Sequence, residues 1–93
     1  MVRHTVMWKL KEENKTENAM GIKNRLEALV DKISEIKSLE VGINENGGEY
    51  DVILITSFDS YADLKKYDAH EEHQKVRAFV SGVEKRVAVD YEY

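Results

Sequence analysis

The chain has 93 residues and reads as one domain, residues 1–93, whose core is thin enough that a second copy would add to it. Apolar residues are 42% and charged residues 34% of the chain, and the net charge is −4, a globular balance that argues against nucleic acid as a partner. There is no apolar run long enough to span a membrane, no apolar core of a secretion signal behind Met1-Val2-Arg3-His4, and no cysteine, so the expectation is a cytoplasmic protein without disulfides, thiolate metal sites or a thiol nucleophile.

Arg3 to Lys11 reads as the first strand, with His4, Val6, Trp8 and Leu10 alternating with Thr5, Met7 and Lys9. A charged loop follows, and Thr16 is the expected N-cap of a helix, with Glu17 at its positive end. Ala19, Ile22, Leu26, Leu29, Val30, Ile33 and Ile36 then recur at steps of three and four, which predicts one amphipathic helix of about five turns. Leu39, Val41 and Ile43 mark a second strand. Asn46-Gly47-Gly48 predicts a turn, because these residues adopt positive φ at little cost.

The third strand, Asp51 to Phe58, carries Val52-Ile53-Leu54-Ile55 without a break and is apolar on both faces. Asp59 or Ser60 would cap a short helix through Tyr67, with Tyr61, Leu64 and Tyr67 facing inward. Asp68-Ala69-His70 reads as a bend. A further helix through about Val80 carries His73, Val76, Phe79 and Val80, and Gly82 ends it. The last strand, Lys85 to Tyr93, places Val87, Val89, Tyr91 and Tyr93 on one face and Arg86, Ala88, Asp90 and Glu92 on the other.

The order β-α-β-β-α-β predicts an α+β, ferredoxin-like fold with a four-stranded antiparallel sheet and both helical regions on one face. The other face then needs a cover. The doubly apolar third strand, Trp8 and the tyrosine-rich last strand predict a homodimer, with two sheets packed face to face.

Histidine is the default general base near neutral pH. His4 follows the alternation of Val6 and Trp8, which points it inward at the mouth of the sheet; a strand-end histidine bonded to backbone explains it equally well. His70 and His73 stand three residues apart around Glu71 and Glu72. That is not the His-Glu-x-x-His zinc spacing, and the expectation is no metal, with His70 capping or packing at the bend. Tyr67 could orient a carbonyl, or simply pack. Asp90 is unusual in a valine-rich strand. By pattern alone it faces solvent beside Glu92. If it faces inward it needs a partner, and His4 on the neighbouring first strand is the natural one, with His73 reachable from a helix above.

The sequence resembles the Dabb family of dimeric α/β-barrel domains, first described in stress-responsive plant proteins and including olivetolic acid cyclase. Three places carry the resemblance: Val2-Arg3-His4-Thr5-Val6-Met7-Trp8-Lys9, Tyr50-Asp51-Val52-Ile53-Leu54 through Ser60, and Tyr67-Asp68-Ala69-His70-Glu71-Glu72-His73-Gln74-Lys75-Val76. In the last, Glu71 stands where the family usually has proline. Val89-Asp90-Tyr91 also fits. The resemblance implies two sheets closing a barrel in the dimer. It further implies cofactor-independent chemistry with His73 as general base, Asp90 as its orienter and Tyr67 on the carbonyl. His4, Trp8 and His70 would contact the ligand. The function expected is binding of a small carbonyl compound, with proton-transfer or cyclase-type chemistry. The alternative is a non-catalytic stress or structural oligomer.

Overall fold

The computed structural model describes residues 1–80 and 82–93. The elements are β1 (Val2–Leu10), α1 (Lys15–Glu27), β2 (Ser38–Ile43), β3 (Val52–Phe58), α2 (Tyr61–Ala69), α3 (Glu71–Phe79) and β4 (Val83–Glu92). The strands form one antiparallel sheet in the order β2-β3-β1-β4. This is the ferredoxin-like α+β arrangement that the β-α-β-β-α-β pattern predicts.

Strand alternation sorts the sheet into two faces. Val2, His4, Val6, Trp8 and Leu10 of β1 and Val52, Leu54, Thr56 and Phe58 of β3 are buried on the helix side. They meet Ala19, Ile22 and Leu26 of α1, together with Leu64 and Tyr67 of α2, in one core. The other face carries Thr5, Met7, Ile53 and Ile55, with Val87, Val89 and Tyr91 of β4 in register beside Met7, Thr5 and Arg3. Val89 is 62% exposed and Tyr91 42% exposed there. Trp8 lies on the helix side and takes no part in this open face, contrary to expectation; the period of two places it with His4 and Val6. Tyr93 closes the strand by donating to Ser57 Oγ at 2.9 Å, and the Arg3 guanidinium lies 4.0 Å from its ring centre.

The first helix is shorter than its apolar stripe suggests. Regular α-helix stops at Glu27, a 3-10 turn covers Ala28–Asp31, and turns lead on to Ile36. Leu29, Ile33 and Ile36 are nevertheless buried, because a tightened end keeps residues three and four apart on one side. The helix also starts earlier than Thr16: Asn14 at φ 55° precedes Lys15 and makes no side-chain cap. In α2 the expected capping holds, with the Ser60 hydroxyl accepting from the Asp63 N–H at 3.2 Å. Tyr61 is 42% exposed and faces away from the core, whereas Leu64 and Tyr67, three and six residues on, face into it.

The bend falls at His70, whose extended backbone (φ −64°, ψ 137°) separates α2 from α3. Phe79 at the end of α3 is not a core residue. It lies under the Arg25 guanidinium, 3.2 Å from its ring centre, and against Gly21 of α1. Gly82, at φ 69°, turns the chain from α3 into β4, and a side chain there would strike Asn18. The Gly47-Gly48 turn between β2 and β3 likewise has positive φ at both residues. No helix among the described residues is long and apolar enough to cross a membrane.

Candidate functional site

On the helix side, α1 packs on β1 and β2, α2 packs on β1 and β3, and α3 packs against the other two helices. A cavity of about 470 Å³ lies between α3 and the β1–β4 edge, within the range of small-molecule sites. Its floor is His4, Val6 and Trp8 of β1 with Arg86, Ala88 and Asp90 of β4. Tyr67, Asp68, His73, Val76 and Arg77 of the helical layer form its roof.

His4 and Asp90 are direct partners in the β1–β4 register, and Asp90 Oδ1 accepts from His4 Nδ1 at 2.5 Å. His4 is 6% exposed, while the Asp90 side chain keeps 40% of its surface. Asp90 therefore turns toward the helix side, and not to solvent alone as its pattern with Glu92 suggests. The carboxylate fixes the proton on Nδ1 and leaves Nε2 without a partner among the described residues.

Asp90 does not orient His73. That ring's Nδ1 donates to the Asp68 carbonyl oxygen at 3.2 Å, across the bend between α2 and α3. The same oxygen accepts from Gln74 Nε2 at 2.5 Å. Burial holds the His73 pKa below its ordinary 6.5, and the bond to Asp68 opposes this only in part. His73 is therefore neutral near pH 7, with Nε2 free to accept.

Tyr67 stands between the two imidazoles. Its ring centre is 4.3 Å from that of His73 and 6.2 Å from that of His4, and Phe58 backs it at 5.1 Å. Tyr67 is completely buried, and its hydroxyl finds no partner among the described residues. Burial pushes its pKa well above the usual phenol range, with the Asp68 charge adding to this and Arg86 opposing it. The group is a protonated donor with nothing to donate to.

The sequence-predicted residues thus divide. His4, Trp8, Tyr67, His73 and Asp90 come together at one cavity. His70 does not line it: its Nδ1 caps α3 by accepting from the Glu72 N–H at 3.0 Å. No cluster of three or more metal-ligating side chains occurs among the described residues. Sequence reasoning did not single out Arg77, Arg86, Ala88 or the Asp68 carbonyl. The period of two in β4 already placed Arg86 and Ala88 on the face of Asp90, and that was the available signal.

The sequence matches the model of the Stress responsive A/B Barrel Domain family, Dabb, over residues 2–93. No curated protein matches the chain. Among solved structures it is similar to a dimeric protein of unknown function and ferredoxin-like fold from Bacteroides fragilis. That likeness has 37% identity and a TM-score of 0.92, covering 99% of this chain and 95% of that one. A hydroxynitrile lyase from Passiflora edulis is 20% identical at a TM-score of 0.83 over 97% of this chain and 90% of that one. An antibiotic biosynthesis monooxygenase is 10% identical at a TM-score of 0.82 over 100% and 98%. The last two likenesses are of fold alone. With its whole length from Val2 matched, the chain belongs to the stress-responsive A/B barrel, or Dabb, family.

Proposed function

We propose that the cavity binds a small carbonyl compound and moves a proton on the carbon beside the carbonyl, without a cofactor. One observation carries this reading: Tyr67, a residue of the cavity wall, has a fully buried hydroxyl without a partner among the described residues, and its ring lies between two imidazoles that are each held through Nδ1. A buried donor without an acceptor costs the fold about 1–3 kcal/mol, so a ligand oxygen that accepts from it is strongly favoured. His4, supported by Asp90, takes the proton on Nε2. The C–H bond breaks, its electron pair moves toward the carbonyl oxygen, and Tyr67 donates a hydrogen bond to the oxygen that becomes negative. His73 offers a second neutral acceptor at the other side of the phenol.

A homodimer is part of the proposal. The open sheet face with Met7, Ile53, Ile55, Val87 and Val89 suits a second copy, and the 37% identical Bacteroides fragilis protein is dimeric. A cytoplasmic setting also belongs to it, with which the absence of cysteine is compatible. The alternative, a purely structural oligomer, has no need of a cavity walled by titratable groups.

The test is deuterium exchange. Acetoacetate and its methyl ester are incubated with the protein in D2O, and loss of the α-proton signal is followed by NMR. Wild-type protein should accelerate exchange. Tyr67→Phe and His4→Gln should each slow it about a hundredfold. Tyr67→Phe should at the same time leave stability unchanged or raise it, because it removes an unsatisfied hydroxyl. Exchange no faster than in buffer for both compounds would overturn the reading.

A further inference from the structure

We propose that the compound held in this cavity carries a carboxylate, and that Arg86 of β4 with Arg77 of α3 forms its anion-binding end. The inference rests on the reading of the cavity as a ligand site and extends it to the substrate's chemical class. Of the four arginines in the chain, Arg25 lies over the Phe79 ring and Arg3 over the Tyr93 ring. The remaining two both line the cavity. Neither forms an ion pair with a carboxylate among the described residues. The contrast with Lys85 is direct. One residue before Arg86 and on the opposite face, it meets Glu49 at 2.9 Å. A guanidinium presents a fork of donors matched to a carboxylate, and two of them left unpaired, one on the floor and one in the roof of the cavity, leave room for an anion.

The floor shows how such a compound would lie. Along β4 the cavity side reads Arg86, Ala88, Asp90, opposite Trp8, Val6 and His4 of β1. The His4–Asp90 pair stands at one end and the guanidinium at the other. Four residues of strand put their Cα atoms about 13 Å apart. The middle is apolar, and Ala88 keeps it shallow. Two carboxylates also line the cavity. Asp90 is taken up by His4, and Asp68 holds His73 through its backbone carbonyl, which leaves its carboxylate unpaired. Two guanidiniums thus face one uncommitted carboxylate across the cavity, and a ligand with a carbonyl at one end and a carboxylate at the other fits the floor.

The probes are 7-oxooctanoate and its methyl ester, long enough to run from the His4–Asp90 end toward the guanidiniums and different only in the negative charge, with binding to the full chain followed by NMR titration. Wild-type protein should bind 7-oxooctanoate about tenfold more tightly than its ester. In the Arg77→Gln/Arg86→Gln double variant that preference should fall to near one. Arg86→Lys should retain part of it, and Lys85→Gln all of it. A preference near one in the wild type, or one that survives the double substitution, overturns the anion site. Deuterium exchange on the same samples separates the two proposals. A preference without exchange removes the proton-transfer reading and supports the anion site. Exchange without a preference does the reverse, and failure to bind either probe overturns both.

Discussion

Strands β1 and β4 lie side by side and offer the helices the same alternation, yet they have opposite fates. The helix-side residues of β1 are all buried: Val2, His4, Val6, Trp8 and Leu10. Of their register partners on β4, Glu92, Asp90, Ala88 and Arg86 are exposed, and only Val83, opposite Leu10 at the start of the strand, is partly buried against the core. The cause lies above the sheet. α1 and α2 pack on β1, β2 and β3, and α3 rests chiefly on the other helices, so among the described residues β4 has the least helix cover of the four strands. One strand is core and its neighbour is cavity wall. His4 sits on the seam, buried like a core residue but bonded to a carboxylate that water still reaches. A sheet edge left uncovered on one side is thus how a thin domain makes room for a ligand without hollowing its core.

Substitutions on the two sides of the seam separate core from cavity wall. Phe58→Ala, within the fully buried core, should cost about 3–5 kcal/mol in urea unfolding. Ala88→Leu, on exposed β4, should change stability by no more than about 0.5 kcal/mol. The same Ala88→Leu fills the middle of the cavity floor and should abolish binding of 7-oxooctanoate and its ester alike. Equal stability losses at the two positions would show that the cavity wall is core after all.

The open face supplies the next effect. Ile55 points away from the helices, opposite Thr5 in the sheet. In the proposed dimer, Ile55→Lys buries an unpaired charge between two sheets and should weaken association about a hundredfold, read by sedimentation equilibrium. A wild-type chain that sediments as a folded monomer at micromolar concentration would remove the dimer instead.

His73 gives a smaller, pH-dependent effect. Its pKa in the folded protein lies below 6.5, chiefly because the ring is buried. As pH falls through 6.5, the unfolded chain takes up the proton while the folded protein resists it. Stability is therefore lost from about pH 6.5 downward until the folded-state value is reached. In His73→Gln this contribution is gone, so its urea midpoint should fall less between pH 7 and pH 5 than that of the wild type. Parallel midpoints would mean that His73 is not shielded from water.

The fold was largely legible in the sequence because alternation and steps of three and four are direct consequences of strand and helix geometry. Val52-Ile53-Leu54-Ile55 announced a strand apolar on both faces, and Asp59-Ser60 announced the start of a helix. The end of α1 was not legible, since Leu29, Ile33 and Ile36 satisfy a 3-10 turn and an α-helix equally. For the site, the residue types were legible and the pairing was not. Asp90 could serve His4 or His73 until the β1–β4 register was known, because a shift of one residue moves a side chain to the other face. The Asp68 carbonyl that holds His73 is backbone and leaves no mark in a side-chain pattern. His70, conspicuous beside His73, turned out to serve the helix terminus.

Asp90→Asn gives a small expected change in stability and the most pointed one in chemistry. The carboxylate keeps 40% of its surface, so losing its charge should cost less than about 1 kcal/mol. An asparagine in its place can offer an N–H toward His4 Nδ1, which then must accept, and the ring proton moves to Nε2. The atom facing the cavity changes from acceptor to donor while the fold is kept. The ¹⁵N shifts of labelled His4 should report this reversal, with those of His73 unchanged because its partner is the Asp68 carbonyl. Deuterium exchange should fall with the reversal in Asp90→Asn and survive, though weaker, in Asp90→Glu, where the acceptor remains. If the His73 signals move and those of His4 do not, Asp90 serves the helix and not its neighbouring strand, and the roles of the two imidazoles exchange.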